Sequence, residues 1–168
     1  MRKTLLLTLI VSVLSGVGWH WAYAESRDEA AIRALIDRWT KAAHEKSVDG
    51  VMSIYQRGPS LVAYDLVPPL QYKGWDAYRD DYKAFFDQYD GPIEFEFRDL
   101  VIAAAATFGY SHELQRVSGT LRGGQRAAFW LRVTDVYRKI GGQWRVVHEH
   151  VSVPTDLESG KAALNLTP

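Results

Sequence analysis

Two acids interrupt strand-like apolar runs near the end of the chain: Asp135 in Val133-Thr134-Asp135-Val136-Tyr137, and Glu149 in Val147-His148-Glu149-His150-Val151. An ionisable residue at a strand position that should be apolar marks a lined cavity. Sorting alternate residues by face puts Phe129, Leu131, Val133, Asp135 and Tyr137 on one inner face, and Val147, Glu149, Val151 and Val153 on another. In the run 107–119 the apolar face is Phe108, Tyr110, His112 and Leu114. If Gly123-Gly124 is a two-residue hairpin loop, as glycine pairs favour, His112 lies opposite Asp135. If Gly141-Gly142-Gln143 is a three-residue loop with a glycine bulge, Asp135 lies opposite Glu149. A row His112, Asp135, Glu149 then crosses the cavity floor, with Tyr110 beside Tyr137. Two carboxylates at about 5 Å repel by roughly 3 kcal/mol at an effective dielectric near 20. That is about two pKa units, enough to keep one acid protonated near neutrality unless a charged His112 offsets it. A neutral acid donates a hydrogen bond, which is what an oxyanion site requires. The alternative is a buried polar network that only orders the core.

Asp65, at the end of the strand-like run Ser60 to Leu66, is a candidate general base near the cavity mouth; its alternative role is to cap the turn before Pro68-Pro69. His148 and His150 share one strand face, but a third ligand is needed and His112 belongs to the opposite face, so no metal site is expected. No phosphate loop, serine-nucleophile elbow or basic–aromatic nucleic-acid motif occurs, and no cofactor is expected. His148, His150, Trp144 and Trp130 are assigned to the convex face, where Trp, His and Arg together suggest a homodimer interface.

The elements that must position these residues follow from periodicity. Ser26 with Glu29 three residues on is a capping box, opening a helix to about Lys46 with the stripe Ile32, Leu35, Ile36, Trp39, Ala42, Ala43. A short second helix covers Val48 to Tyr55, and a third Trp75 to Tyr89, ended by Gly91-Pro92. Strands are predicted at 93–104, 107–119, 125–139 and 143–153. Helices followed by an antiparallel meander describe an α+β domain: a cone-shaped curved antiparallel sheet with three helices of the N-terminal half packed over its concave face.

Residues 1–24 read as a secretory signal: Arg2 and Lys3, the apolar run Leu5 to Val17, and the cleavage site Ala22-Tyr23-Ala24. The apolar run is shorter than the roughly 20 residues a spanning helix needs, so no stable membrane insertion is expected after cleavage. Residues 25–168 form one domain, placed in the periplasm or secreted. Taking Arg2 and Lys3 from the 20 basic residues leaves 18 against 20 acidic ones, a net of −2. That balance offers no electrostatic reason to bind nucleic acid. The chain has no cysteine, which excludes disulfides, thiol nucleophiles and thiolate metal sites.

With this pattern assembled, the chain resembles the SnoaL-like, ketosteroid isomerase-like branch of the nuclear-transport-factor-two-like superfamily. The residues carrying the resemblance are Ala31-Ile32-Arg33 through Trp39, Val62-Ala63-Tyr64-Asp65, Pro68-Pro69-Leu70-Gln71-Tyr72-Lys73-Gly74, and Trp144 to Pro154. The last block is also similar to the association domain of calcium/calmodulin-dependent kinase. The resemblance implies the cone fold. Against ketosteroid isomerase it matches Asp65 to the general base and Asp135 to the protonated acid of the oxyanion hole, while Trp39 stands where that family has a tyrosine. Three readings stay open. The first is a domain binding a small, largely apolar molecule, with His112, Asp135 and Glu149 as polar anchors and Tyr110, Tyr137 and Trp39 as walls. The second is an isomerase- or cyclase-type enzyme moving a proton on a carbonyl compound, with Asp65 as base and Asp135 as neutral acid. The third is an oligomerisation module with a vestigial cavity.

Overall fold

The computed structural model describes residues 25–168; the segment 1–24, read above as a secretory signal, lies outside the described residues. Helix α1 spans Arg27–His44, and its N-terminus carries the expected capping box: Ser26 Oγ accepts from the Glu29 amide at 3.2 Å, and Glu29 accepts from the Ser26 amide at 2.7 Å. Ile32, Leu35, Ile36 and Ala43 of its stripe are buried. Lys46, with φ of +55°, ends the run. Helix α2, Val48–Met52, is shorter than the sequence suggested and is capped by Ser47.

Strand β1 (Val62–Tyr64) and strand β2 (Tyr72–Lys73) are brief. Helix α3, Trp75–Phe86, buries Trp75, Tyr78, Tyr82 and Phe86. The expected helix end near Tyr89 is corrected: Tyr89 already belongs to strand β3, Tyr89–Ala105. Strands β4 (Phe108–Leu121), β5 (Arg126–Ile140) and β6 (Gln143–Ser152) complete one six-stranded sheet in the order β2-β1-β6-β5-β4-β3. From β3 to β6 the sheet is an antiparallel meander, whereas β1 runs parallel to β6. Breaks in register between Asp90/Glu94 and Arg98/Val101 bend the long strand β3, as bulges do by adding local twist. The helices lie across the hollow face so formed, with the core between them and the sheet.

Two turns decide which side chains enter that hollow. At Gly123-Gly124 the amide of Leu121 donates to Gln125 O at 2.8 Å, so the loop is Arg122-Gly123-Gly124, one residue longer than the expected pair. A one-residue slip exchanges the two faces of a strand. Ser111, not His112, therefore opposes Asp135, and His112 pairs with Thr134. At Gly141-Gly142 the loop is instead one residue shorter than expected. Ile140 pairs with Gln143 across two glycines at φ of +56° and +79°, the positive values a tight two-residue hairpin turn needs. A bulge at Val147 then restores the pairing of Asp135 with Glu149. Before the bulge the inward residues of β6 are Trp144 and Val146; after it they are Glu149 and Val151. Trp144 thus leaves the convex face assigned to it: it is buried, and its indole donates to Asp28 of α1 at 3.2 Å.

Candidate functional site

Between the helices and the hollow face lies a cavity of about 540 Å³. Ile36 and Trp39 of α1 form part of its wall, with Tyr78, Asp81, Tyr82 and Phe85 of α3. Tyr55 enters from the turn after α2, and Asp65, Leu66, Val67 and Pro68 from the loop after β1. The sheet contributes Phe95 and Phe97 of β3, Glu113, Gln115 and Val117 of β4, Phe129 to Asp135 on alternate positions of β5, and Glu149 and Val151 of β6.

Glu149 is the centre of the polar network. The bulge in β6 leaves Val146 free to bond the segment after α2: its amide donates to Ile54 O at 3.0 Å and its carbonyl accepts from Gln56 N at 2.8 Å. That pairing delivers the Tyr55 hydroxyl to Glu149 Oε2 at 2.5 Å, while Tyr78 donates to Oε1. Trp39 Nε1 donates to Tyr82 Oη at 3.2 Å, and Tyr82 and Tyr55 hydroxyls meet at 2.7 Å. Because Tyr55 spends its proton on Glu149, Tyr82 must donate to Tyr55. The chain therefore runs Trp39, Tyr82, Tyr55, Glu149. Burial, followed by the charge of Asp135, raises the Glu149 carboxyl well above the carboxylate range; the two tyrosine donors oppose this.

Asp135 and Glu113 differ from Glu149 in being incompletely bonded. Tyr137 donates to Asp135 Oδ2 at 3.0 Å and is itself in contact with Ser111 Oγ at 3.0 Å. Asp135 Oδ1 and Glu113 Oε2 are buried with no hydrogen-bond partner. Burial, then the neighbouring carboxylate, pushes Glu113 up to about 8, with Glu149 as the neighbour, and Asp135 to about 7, with Glu113 as the neighbour. An unpaired carboxylate in such a place is costly, so the acid holds its proton to higher pH than it would in water.

Asp65 follows β1 on the parity of buried Ala63, which pairs with Glu149. Its Oδ2 is 3.2 Å from Tyr78 Oη and its Oδ1 accepts from the Leu66 amide. Burial raises its pKa, against those bonds. Asp81 on α3 accepts from the Tyr72 hydroxyl at 2.7 Å, and burial raises it too.

The structure brings together Asp65, Asp135, Glu149 and Trp39, and leaves three other expected residues, His112, Tyr110 and Tyr137, outside the cavity lining. His112 and Tyr110 lie on the outer face of β4, where Tyr110 is 43% exposed and stacked on His112. The slipped turn is the reason. Tyr137 is fully buried and sits behind Asp135 rather than in the cavity wall. His148 and His150 flank the Tyr64 ring on the outer side, at 4.9 and 5.6 Å between ring centroids. Among the described residues no group of three potential metal ligands converges. The residues that sequence reasoning missed are Glu113, Asp81 and the tyrosine cluster. Tyr78 and Tyr82, four apart on α3, carried a visible signal; Tyr55 carried none.

The model of the SnoaL-like domain family matches residues 32–156. A nuclear-transport-factor-two-like protein of unknown function from Pseudomonas putida KT2440 is 34% identical, with a TM-score of 0.75 over 84% of this chain and 96% of that one. A nuclear transport factor 2-like superfamily protein from Salmonella enterica serovar Typhimurium is 18% identical, with a TM-score of 0.71 over 83% and 99% of the two chains. A ketosteroid isomerase-like protein from Erwinia carotovora atroseptica is 17% identical, with a TM-score of 0.64 over 76% and 96%. No curated protein matches the sequence. A match over most of the domain, joined to a cone of helices over a bent sheet, means that the chain belongs to the SnoaL-like domain family.

Proposed function

We propose that this protein binds a small, largely apolar molecule in the cavity between its helices and sheet. The observation that carries the reading is the pair of buried, unpartnered oxygens, Asp135 Oδ1 and Glu113 Oε2, on residues that line a cavity of about 540 Å³. That volume falls in the range of roughly 300–1,000 Å³ typical of ligand pockets, which are mostly apolar with a few convergent polar groups. A buried acceptor without a partner costs about 1–3 kcal/mol, and a network serving only to order the core would have satisfied both. A ligand's polar group recovers that cost while its apolar body covers Phe95, Phe97, Phe129 and Val151. The test is native mass spectrometry of the protein purified without denaturant, followed by amide NMR titration with retained or candidate compounds. A retained small molecule, or shifts centred on Glu113 and Asp135, is expected. A ligand-free protein whose β4 and β5 signals respond to no compound argues for the vestigial cavity instead.

One observation favours proton transfer as a second reading. Tyr78 has a single hydroxyl proton and stands between Glu149 and Asp65, both with raised pKa values. When Tyr78 donates to Glu149, the Asp65 contact is a hydrogen bond only if Asp65 carries a proton, so the three groups form a relay reaching the loop after β1. Asp65 would exchange a proton with a carbonyl compound, and Asp135 as neutral acid would donate to its oxygen. Turnover of a bound carbonyl compound that is lost in Asp65→Asn, with binding retained, supports this; equal turnover in that variant removes it. We further place the protein outside the cytoplasm, on the character of residues 1–24, and as a homodimer through the outer sheet face, where Val101, Phe108 and Tyr110 are exposed.

A further inference from the structure

The lining of the cavity is one-sided in charge. Among the described residues it holds five carboxyl groups, Asp65, Asp81, Glu113, Asp135 and Glu149, and no Lys, Arg or His. Some acids elsewhere have cations beside them, such as Asp87 with Lys83 at 2.7 Å and Asp28 with Lys139 at 2.5 Å. Inside, tyrosine hydroxyls and the Leu66 amide compensate, and they are spent on Glu149, on Asp135 Oδ2, on Asp65 Oδ1 and on Asp81. What remains is a pair of unpartnered oxygens on residues 7% exposed, Glu113 and Asp135, both of which belong to the cavity lining.

We propose that the cavity selects a protonated amine on a ring-sized apolar body, with Asp135 and Glu113 accepting its N–H groups and the surrounding aromatic rings facing its charge. The inference rests on the reading of the cavity as a small-molecule site and names the class of molecule. A cation is what the site lacks: it turns the mutual repulsion of Glu113, Asp135 and Glu149 into attraction, and it gives both orphaned acceptors donors. A carbonyl compound engages the same acids only while they stay protonated, and it leaves the shared excess of negative charge uncompensated once they ionise. Rings such as Trp39, Tyr82, Phe95 and Phe129 add a favourable surface for a desolvated cation, which an aromatic face attracts. Binding also displaces acid protons, held by Glu113 on β4 and Asp135 on β5. The other titratable groups of the same lining are Glu149 on β6, Asp65 after β1, Tyr72 on β2, Asp81, Tyr78 and Tyr82 on α3, Tyr89 on β3 and Tyr55 after α2, with Tyr137 behind Asp135.

Three probes of one shape decide the matter by isothermal titration calorimetry on the purified protein: 1-(2-naphthyl)ethylamine, 2-acetylnaphthalene and 2-naphthoate. The amine is expected to bind at least about tenfold more tightly than the ketone, and the carboxylate most weakly. Repeating the amine titration in buffers of different ionisation enthalpy should show proton release near neutral pH. The doubly neutralised variant Glu113→Gln/Asp135→Asn, its fold checked by circular dichroism, should lose both the preference for the amine and the proton release. A ketone or naphthoate that binds as tightly as the amine overturns the amine inference and leaves the cavity standing as a binding site. An amine preference that survives in the double variant overturns the assignment to these two acids. Failure of all three probes to bind counts against the cavity reading and the amine inference together.

Discussion

Replacing Glu113 by Gln should make the protein more stable at alkaline pH and leave it almost unchanged in acid. In the folded protein burial and the nearby Glu149 push the Glu113 carboxyl from 4.5 up to about 8, and burial with Glu113 pushes Asp135 from 3.8 to about 7. Between those limits the folded state holds protons that the unfolded chain has released. Stability therefore falls as pH rises, by about 1.4 kcal/mol per pH unit for each such group. It is fully present below about pH 4 and has been lost once pH passes the folded values. From pH 5 to pH 8 Glu113 alone accounts for as much as about 4 kcal/mol. The figure is an upper one, because ionisation of one acid in the cluster holds protons on the others. Glu149, Asp65 and Asp81 are also raised by burial and act in the same direction. Asp28, Asp87 and Asp156 have lowered pKa values, so their contribution changes only in more acidic solution.

Urea unfolding of wild type and Glu113→Gln at about pH 5 and pH 8.5 measures the effect through the transition midpoint at constant slope. Wild type should lose several kcal/mol over that interval and the variant about 2–4 kcal/mol less, partly because Asp135 ionises more easily once its neighbour is neutral. Parallel pH curves for the two proteins, or a wild type that gains stability between those pH values, would refute the placement of Glu113 in the cavity.

Tyr55→Phe removes a donor from buried Glu149 and the acceptor of the Tyr82 proton; thermal or chemical unfolding should show a loss of about 1–3 kcal/mol, and no loss would mean that Glu149 is satisfied elsewhere. Gly119→Ala puts a Cβ 2.8 Å from Cδ1 of the Tyr89 ring, which lines the cavity. It should cost about 1–3 kcal/mol and weaken ligand binding, whereas an unchanged midpoint would show that the ring gives way freely. Tyr110→Glu, on the exposed outer face of β4, should shift a dimer to monomer by light scattering at unchanged circular dichroism; a monomeric wild type would refute the interface.

How far the site was legible depended on whether its polar residues sit on the apolar face of their own strand. Asp135 and Glu149 do: Leu131 and Val133, or Val151, share their buried side, so apolar alternation finds them. In β4 the relation is reversed. The side turned to the cavity carries Ser111, Glu113 and Gln115, while Phe108 and Tyr110 face outward and are exposed. Apolarity then selects the wrong face, and taking the glycine pair as the whole loop supports that wrong selection, because the loop is one residue longer. In β5 and β6 a shorter loop and the bulge at Val147 cancel, so Asp135 meets Glu149 by a different path from the one expected. The capping box and the stripe of α1 were legible because they depend on neighbours within one helix. Convergence of Tyr55, Tyr78 and Tyr82 was not, because it depends on how Val146 and α3 dock. A strand whose cavity side is polar and whose outer side is apolar is what a binding wall backed by a protein partner would require. The reversal in β4 thus ties the acid-lined cavity to the proposed interface behind it: the residues that hid Glu113 from the sequence, Phe108 and Tyr110, are those the second subunit of the proposed dimer would cover.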